Sequence, residues 1–452
     1  MKKLPLLLSI LSFACIAAGT KLFAADENLA GTAPEAAGTR SSMSRDEKMA
    51  WWRDAKFGMF IHYGLYSGLA GEWRGVPMGS EWIQRYAKVD TETYMSEALP
   101  LFKPKKNCVQ SWAALAKKAG CRYAVLTTKH HEGFALFETE QEDGYFSAAQ
   151  VGRDLVKEYV TAFRKEGIRI GFYHSLLDWH QKNYDWTINP DLAYPEGQAT
   201  MLTQKFIPRN QEAYKRYLAA QVRELLSNYG QVDVIWWDYS QDRASGDLAW
   251  GASDLIKLCR ELQPGIIMNN RLFSYSGLDS SAVIENFDTK YGDFVTPERH
   301  IPASGYPGTD WESCMTVGDK WGYNRYDKNI KSPETVIYKL QECVAKGGNL
   351  LLNINPRADG SVPAAVEKVF VKIGEWLDVN GNAIYGTQAF FGLTDAAGTP
   401  VWATRQKDGR VYAFLPEGAS LENFALNYNG VPATFHLLAE TVCPVLVVEL
   451  PQ

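Results

Sequence analysis

The chain has 452 residues, 46% hydrophobic and 22% charged, with a formal net charge of −5. Those proportions are ordinary for a globular protein, and the length exceeds one typical core, so a large domain plus a small one is expected. No basic run suggests nucleic acid, and no long repeat implies a solenoid.

Met1-Lys2-Lys3 precedes a stretch from Leu4 to Ala18 that is nearly all apolar and too short for a comfortable membrane span. With Ala24-Ala25 after it, the segment reads as a signal peptide over residues 1–25. Its removal takes three lysines and no acid, moving the formal charge from −5 to about −8. Phe13 two residues before Cys15 argues against a lipid anchor, so export to the periplasm or exterior without stable membrane insertion is expected. Residues 26–47, rich in Ala, Gly, Thr and Ser up to residue 44, read as a flexible leader. The other six cysteines are scattered without CxxC or zinc spacing and read mostly as buried thiols, with Cys108 and Cys121 the one pair weighed as a disulfide.

From residue 48 strands and helices alternate. Lys56–Gly64 is strand-like and ends in His62-Tyr63, and a loop with Glu72, Trp73, Glu81 and Trp82 follows. Helix Ser111–Ala119 leads to strand Tyr123–Thr128 and then Lys129-His130-His131-Glu132. Helix Asp154–Lys165 leads to strand Arg169–Tyr173 and His174. Helix Asn210–Tyr229 has apolar residues at i, i+3 and i+4 and feeds the run Val232, Val234, Ile235, Trp236, which ends on Asp238. Helix Leu255–Leu262, strand Gly265–Met268 with Arg271 beyond, and strand Ala282–Ile284 with Glu285 come next. A polar loop carries Thr296-Pro297-Glu298, and Trp311-Glu312 opens another strand. Helix Pro333–Ala345, strand Asn349–Ile354 and helix Pro363–Val379 complete about eight units. Such alternation over residues 48–385 predicts a (β/α)8 TIM-like barrel; an open doubly wound sheet would want a Gly-rich phosphate turn that is missing. Residues 386–452 change to short alternating segments between Gly, Pro and Asn turns, a small C-terminal β-sandwich.

A lone Asp238 at a strand exit reads equally well as a cap of the next loop. Five strands ending in polar or charged groups point instead to a pocket at the barrel's C-terminal face. Metal binding is disfavoured because adjacent His130 and His131 should diverge on an extended chain and no HExxH spacing exists. No GxSxG elbow supports a serine nucleophile. Glycoside hydrolysis needs two carboxylates plus hydroxyl binders, and the 14 Trp and 23 Tyr suit apolar sugar faces.

Phe60-Ile61-His62-Tyr63-Gly64, Lys129-His130-His131-Glu132-Gly133-Phe134, Asp178-Trp179-His180, Trp236-Trp237-Asp238 and Gly348–Asn353 together resemble the retaining α-L-fucosidases, glycoside hydrolase family 29, over about residues 48–385. The resemblance implies exo-acting release of terminal α-L-fucose from a fucosylated oligosaccharide or glycoconjugate, with neither metal nor cofactor. It makes Asp238 the nucleophile, with His62, Glu81, His130, His131, Trp236 and Arg271 around the sugar and Tyr173 or His174 where the family has a pocket Tyr. For the acid/base, Glu298 is preferred and Glu312 is the alternative; for the binding Glu, Glu81 is preferred over Glu72. This chain departs from the family in Tyr239 after the nucleophile, where Gly is common, in Glu132 where Asp is usual, and in His174 where Tyr is usual. An α-L-galactosidase or other L-sugar hydrolase, and a catalytically silent carbohydrate-binding barrel, stay open. Asp238 is expected charged beside Arg271, and Glu298 protonated in a drier niche.

Overall fold

Seven parallel strands alternate with helices in this computed structural model, which describes residues 43–142, 144–185, 209–240, 244–273 and 291–451. All of them belong to one compact unit, Met43–Gln452. The expected signal peptide, and the strand at Ala282–Ile284 with Glu285, lie outside the described residues.

The parallel strands are β1 (Phe57–Ile61), β2 (Tyr123–Lys129), β3 (Arg169–Ser175), β4 (Val234–Asp238), β5 (Ile267–Met268), β6 (Glu312–Thr316) and β7 (Asn349–Ile354). They pair in the order β5-β4-β3-β2-β1-β7-β6. The ends of that order are joined by residues 294–298: Asn269 bridges Phe294, Val295 bridges Trp311 and Glu298 bridges Cys314, all in parallel. The sheet therefore closes into an eight-stave barrel. Thr296-Pro297-Glu298, expected in a polar loop, belong to one of the staves; Pro297 and the shortness of the apolar pair Phe294-Val295 hide this in the sequence.

Period-2 geometry divides each strand between two environments. Phe60, Tyr123, Val125, Tyr173, Val234, Trp236, Ile267, Phe294, Cys314 and Leu351 form the lumen core. Their neighbours, such as Met59, Ala124, Phe172, Ile235 and Leu352, pack outward with the helices.

The helices used below are α1 (Arg45–Ala55), α2 (Cys108–Lys118), α3 (Leu155–Lys165), α4 (Gln211–Asn228), α5 (Ala252–Leu262), α6 (Pro333–Ala345) and α7 (Ala364–Asn380). Sequence explains their starts. Asp154 accepts from Lys157 N, Asn210 from Ala213 N and Ser332 from Thr335 N, each satisfying an otherwise orphaned first-turn donor. Tyr214, Tyr217, Leu218, Val222, Leu225 and Leu226 make the buried face of α4. Helix α1 begins inside the stretch expected to be leader. Ser44 and Glu47 form a capping box, a signal the composition of residues 26–44 obscured. Met49 and Trp52 on α1 belong to the lumen core, and Arg45 and Arg53 both pair with Asp310.

The C-terminal strands are β8 (Gln388–Phe390), β9 (Leu393–Asp395), β10 (Ala403–Arg405), β11 (Val411–Phe414), β12 (Leu426–Tyr428), β13 (Val431–Leu437) and β14 (Val445–Glu449). They form one antiparallel sheet ordered β8-β10-β11-β14-β13-β12-β9. Its two edge strands, β8 and β9, are separated by only two residues of chain. The sheet must therefore curl on itself, and Phe390, Leu393, Leu426 and Leu446 share its interior as in a sandwich. Gln341 on α6 and Trp376 on α7 donate to the carbonyls of Cys443 and Val442, fixing this sheet to the barrel helices. All six described cysteines, Cys108 and Cys121 included, are buried free thiols.

Candidate active site

The alternation that buries Val234 and Trp236 in the lumen carries two residues further to Asp238, the last residue of β4, at the C-terminal rim. Asn269 anchors that rim by accepting from Trp237 N and donating to Trp237 O, both at 2.9 Å. The same period brings His62 over Phe60 and leaves Tyr173 facing inward. A pocket of about 300 Å³ opens there, with Asp238 on its floor.

Two side-chain donors engage the Asp238 carboxylate. Arg271 Nη1 donates to Oδ1 at 2.7 Å and the Tyr173 hydroxyl donates to Oδ2 at 2.8 Å. His131 Nε2 lies 3.9 Å from Oδ2. Arg271 is fixed from every side: Nε donates to Thr296 Oγ1 at 2.9 Å, and the guanidinium lies over the Trp236 ring at 4.5 Å. Its Nη2 reaches Glu298 Oε2 at 3.2 Å. Glu298 accepts from Trp321 Nε1 at 3.0 Å through its other oxygen. One guanidinium thus holds two carboxylates that line one pocket. Glu298 does not occupy the drier position expected of it: its side chain is 21% exposed against 14% for Asp238, because it stands on the outermost part of its stave.

His62, His130 and His131 are buried and held neutral. Burial pushes His62 and His131 down to about 3, and it pushes His130 well below the usual range, with its histidine neighbours adding to the effect. Hydrogen-bond partners assign the protons of His62 and His131. Asn353 spends its amide N–H on Trp321 O, so its oxygen accepts from His62 Nδ1 at 2.8 Å. Ser175 spends its proton on Leu177 O, so its oxygen accepts from His131 Nδ1 at 2.6 Å. Both rings therefore present a bare Nε2 acceptor. The expectation that His130 and His131 diverge is overturned: their ring centroids are 4.1 Å apart and both line the pocket. The chain leaves strand geometry after Lys129, so the alternation no longer applies. Together with Asp238 they offer ligand atoms within 4.8 Å of one another, a set that could hold a cation. Arg271 and Tyr173 already engage both oxygens of that carboxylate, and the guanidinium supplies the positive charge a metal would bring.

Between the neighbours Tyr173 and His174, the structure places only Tyr173 in the pocket. His174 points to the helix side, its Nδ1 3.0 Å from Thr128 Oγ1, as period 2 requires of the next residue. Glu81 lines the pocket and accepts from Gly322 N at 2.9 Å and from the Ser80 hydroxyl. Glu72 lies away from it, with Tyr326 and Arg325. Glu312 is not a wall of the pocket. Glu298 is bridged to Cys314, and Glu312 sits two residues lower on β6, where Tyr123 and Trp236 donate to it. Burial pushes its carboxyl up to about 7.

Trp321, which bonds Glu298 and stacks on His62 at 5.0 Å, joins Asn353 and Thr296 at the site without having been expected there. Only Asn353 and Thr296 left a local signal, as polar residues on barrel staves.

The sequence model described as "Alpha-L-fucosidase" matches residues 24–382. The plasma α-L-fucosidase of Homo sapiens is 31% identical over 395 residues, 83% of this chain and 78% of that protein. The α-L-fucosidase isoenzyme 1 of Paenibacillus thiaminolyticus superposes with a TM-score of 0.74 at 33% identity, covering 90% of this chain and 96% of that one. An α-L-fucosidase of Bacteroides thetaiotaomicron, trapped as a covalent intermediate with 2-fluoro-fucosyl fluoride, superposes with a TM-score of 0.72 at 26% identity, covering 92% and 95%.

Proposed function

Because this chain belongs to the α-L-fucosidase family of glycoside hydrolases, we propose that it releases terminal α-L-fucose by double displacement, with Asp238 as nucleophile and Glu298 as acid/base. The observation that carries the reading is the pairing of Asp238 and Glu298 across one pocket by the two terminal nitrogens of Arg271.

In the first step the Asp238 carboxylate bonds to the anomeric carbon while the glycosidic C–O bond breaks and Glu298 gives its proton to the departing oxygen. Arg271 and Tyr173 keep Asp238 charged and aimed until then. In the second step Glu298 takes a proton from water, whose oxygen attacks the same carbon and frees Asp238. Two inversions leave the released sugar in the α configuration. The bare Nε2 atoms of His62 and His131 and the Glu81 carboxylate are acceptors for sugar hydroxyls. Rings of Phe60, Trp236 and Trp321 supply apolar surface that suits the C5 methyl of fucose better than a hydroxymethyl group. A pocket of about 300 Å³ with buried histidines at its inner end fits a chain end, which is the basis of the exo assignment. Export is part of the same proposal, supported by the charged start and apolar run of residues 1–18. Among the described residues no helix is long and apolar enough to cross a membrane.

The test is proton NMR during hydrolysis of an aryl α-L-fucoside. First-formed α-L-fucose supports the reading; first-formed β-L-fucose contradicts double displacement.

A further inference from the structure

Tyr239, the residue after Asp238, holds φ at +83°, a left-handed backbone that an aromatic L-residue rarely adopts. Strain of this kind persists only where the surrounding structure enforces it, and it concentrates at functional sites. Here it turns the ring out of the strand direction and against the pocket wall. The ring centroid lies 5.4 Å from that of His131, edge to face, and 5.5 Å from that of Trp82. Trp82 in turn is 6.4 Å from Tyr86.

These rings form a graded series. His131 is buried at the floor, Trp82 and Tyr239 are half-buried, and Tyr86 is 55% exposed. All four line the pocket. An exo-acting pocket holds the terminal sugar at its closed end, so the rest of the glycan must leave along the route to solvent. Aromatic faces on that route match the apolar C–H face of a pyranose ring.

Resting on the proposed α-L-fucosidase reading, we infer that Tyr239, Trp82 and Tyr86 form a binding track for the leaving-group sugar, with Tyr239 as its innermost wall. The ligand class is a hexose or N-acetylhexosamine ring carrying the fucose. Hydrophobic or aryl leaving groups use only the inner part of the track, and fluoride uses none of it.

The experiment compares kcat/KM on α-L-fucosyl fluoride with kcat/KM on the best substrate among α-L-fucosyl disaccharides of every linkage, for wild type, Tyr239→Gly and Tyr86→Ala. Glycine relieves the backbone strain, so Tyr239→Gly is expected to fold, and a thermal melt checks this; Tyr86→Ala alters an exposed ring and reads the outer track independently. The disaccharide-to-fluoride ratio is expected to fall about tenfold in Tyr239→Gly, and in the same direction in Tyr86→Ala. An unchanged ratio in both variants overturns the track while leaving the fucosidase reading intact. Wild type that hydrolyses neither substrate overturns the reading itself.

Discussion

Arg271 Nη1 stands 2.7 Å from Asp238 Oδ1, from a guanidinium whose side chain is 1% exposed. A cation buried this deeply is tolerated because Thr296, Glu298 and the Trp236 ring also engage it. Replacing it leaves two carboxylates facing one another without a counter-charge. Arg271→Met is expected to lower kcat/KM on an aryl α-L-fucoside by about 10²–10³-fold, in line with the loss of a preorganised donor. Arg271→Lys should recover little, since an ammonium cannot reach Asp238, Glu298 and Thr296 together. Steady-state kinetics on the two variants checks this.

Tyr173 and His174 are sequence neighbours on opposite faces of β3. Tyr173→Phe removes the hydroxyl that donates to Asp238 Oδ2 and should lower kcat/KM about 10–100-fold, the scale of a hydrogen bond to a charged group. His174→Gln should instead change the unfolding midpoint, with little effect on kcat/KM. Paired kinetics and melts separate the two roles.

Glu298 and Glu312 were rivals for one role. Glu298→Ala should cost about 10²–10⁴-fold on a leaving group that needs a proton, and far less on α-L-fucosyl fluoride, which needs none. Azide should restore turnover and yield α-L-fucosyl azide, because it attacks the glycosyl-enzyme from the face water uses. Glu312→Gln should show neither the leaving-group dependence nor the rescue. Product analysis by NMR decides between them.

Stability should rise with pH between about pH 4.5 and 6.5. His62, His130, His131 and His174 are all held below their ordinary range by burial, so the unfolded chain binds those protons more readily than the native one. Their contribution is present above pH 6.5 and is lost as pH falls toward the native values, about 3 for His62 and His131. Glu132 and Glu312, raised to about 7 by burial, act in the opposite sense: their native state holds the proton, so they lose stability as pH rises from about 4.5 to 7. Four histidines against two glutamates leave the positive slope dominant. Glu312→Gln removes one opposing group and should steepen it, as read from urea unfolding at pH 4.5, 5.5 and 6.5.

Much of the barrel was legible because its helices and strands follow their periods. Helix Pro333–Ala345 and strand Asn349–Ile354 have the bounds their residues suggested. The β4 run pointed to Asp238 because a charged residue ending an apolar strand is conspicuous. Phase along β3 was not legible, since both faces of Ile170–Ser175 are buried and no alternation marks which one is the lumen. The convergence of His130 and His131 depends on a chain that turns as it leaves β2, which neither residue type reveals. Trp321 meets Glu298 and His62 only through the closure of the barrel, and the stave at 294–298 has only the short apolar pair Phe294-Val295 to announce it.

Inactivation by 2-fluoro-α-L-fucosyl fluoride, followed by peptide mass mapping, tests the central claim most directly. The account predicts one added 2-fluoro-fucosyl group, carried as an ester on Asp238, and no labelling of Asp238→Asn. A label on any other carboxylate, or none under turnover, would contradict it.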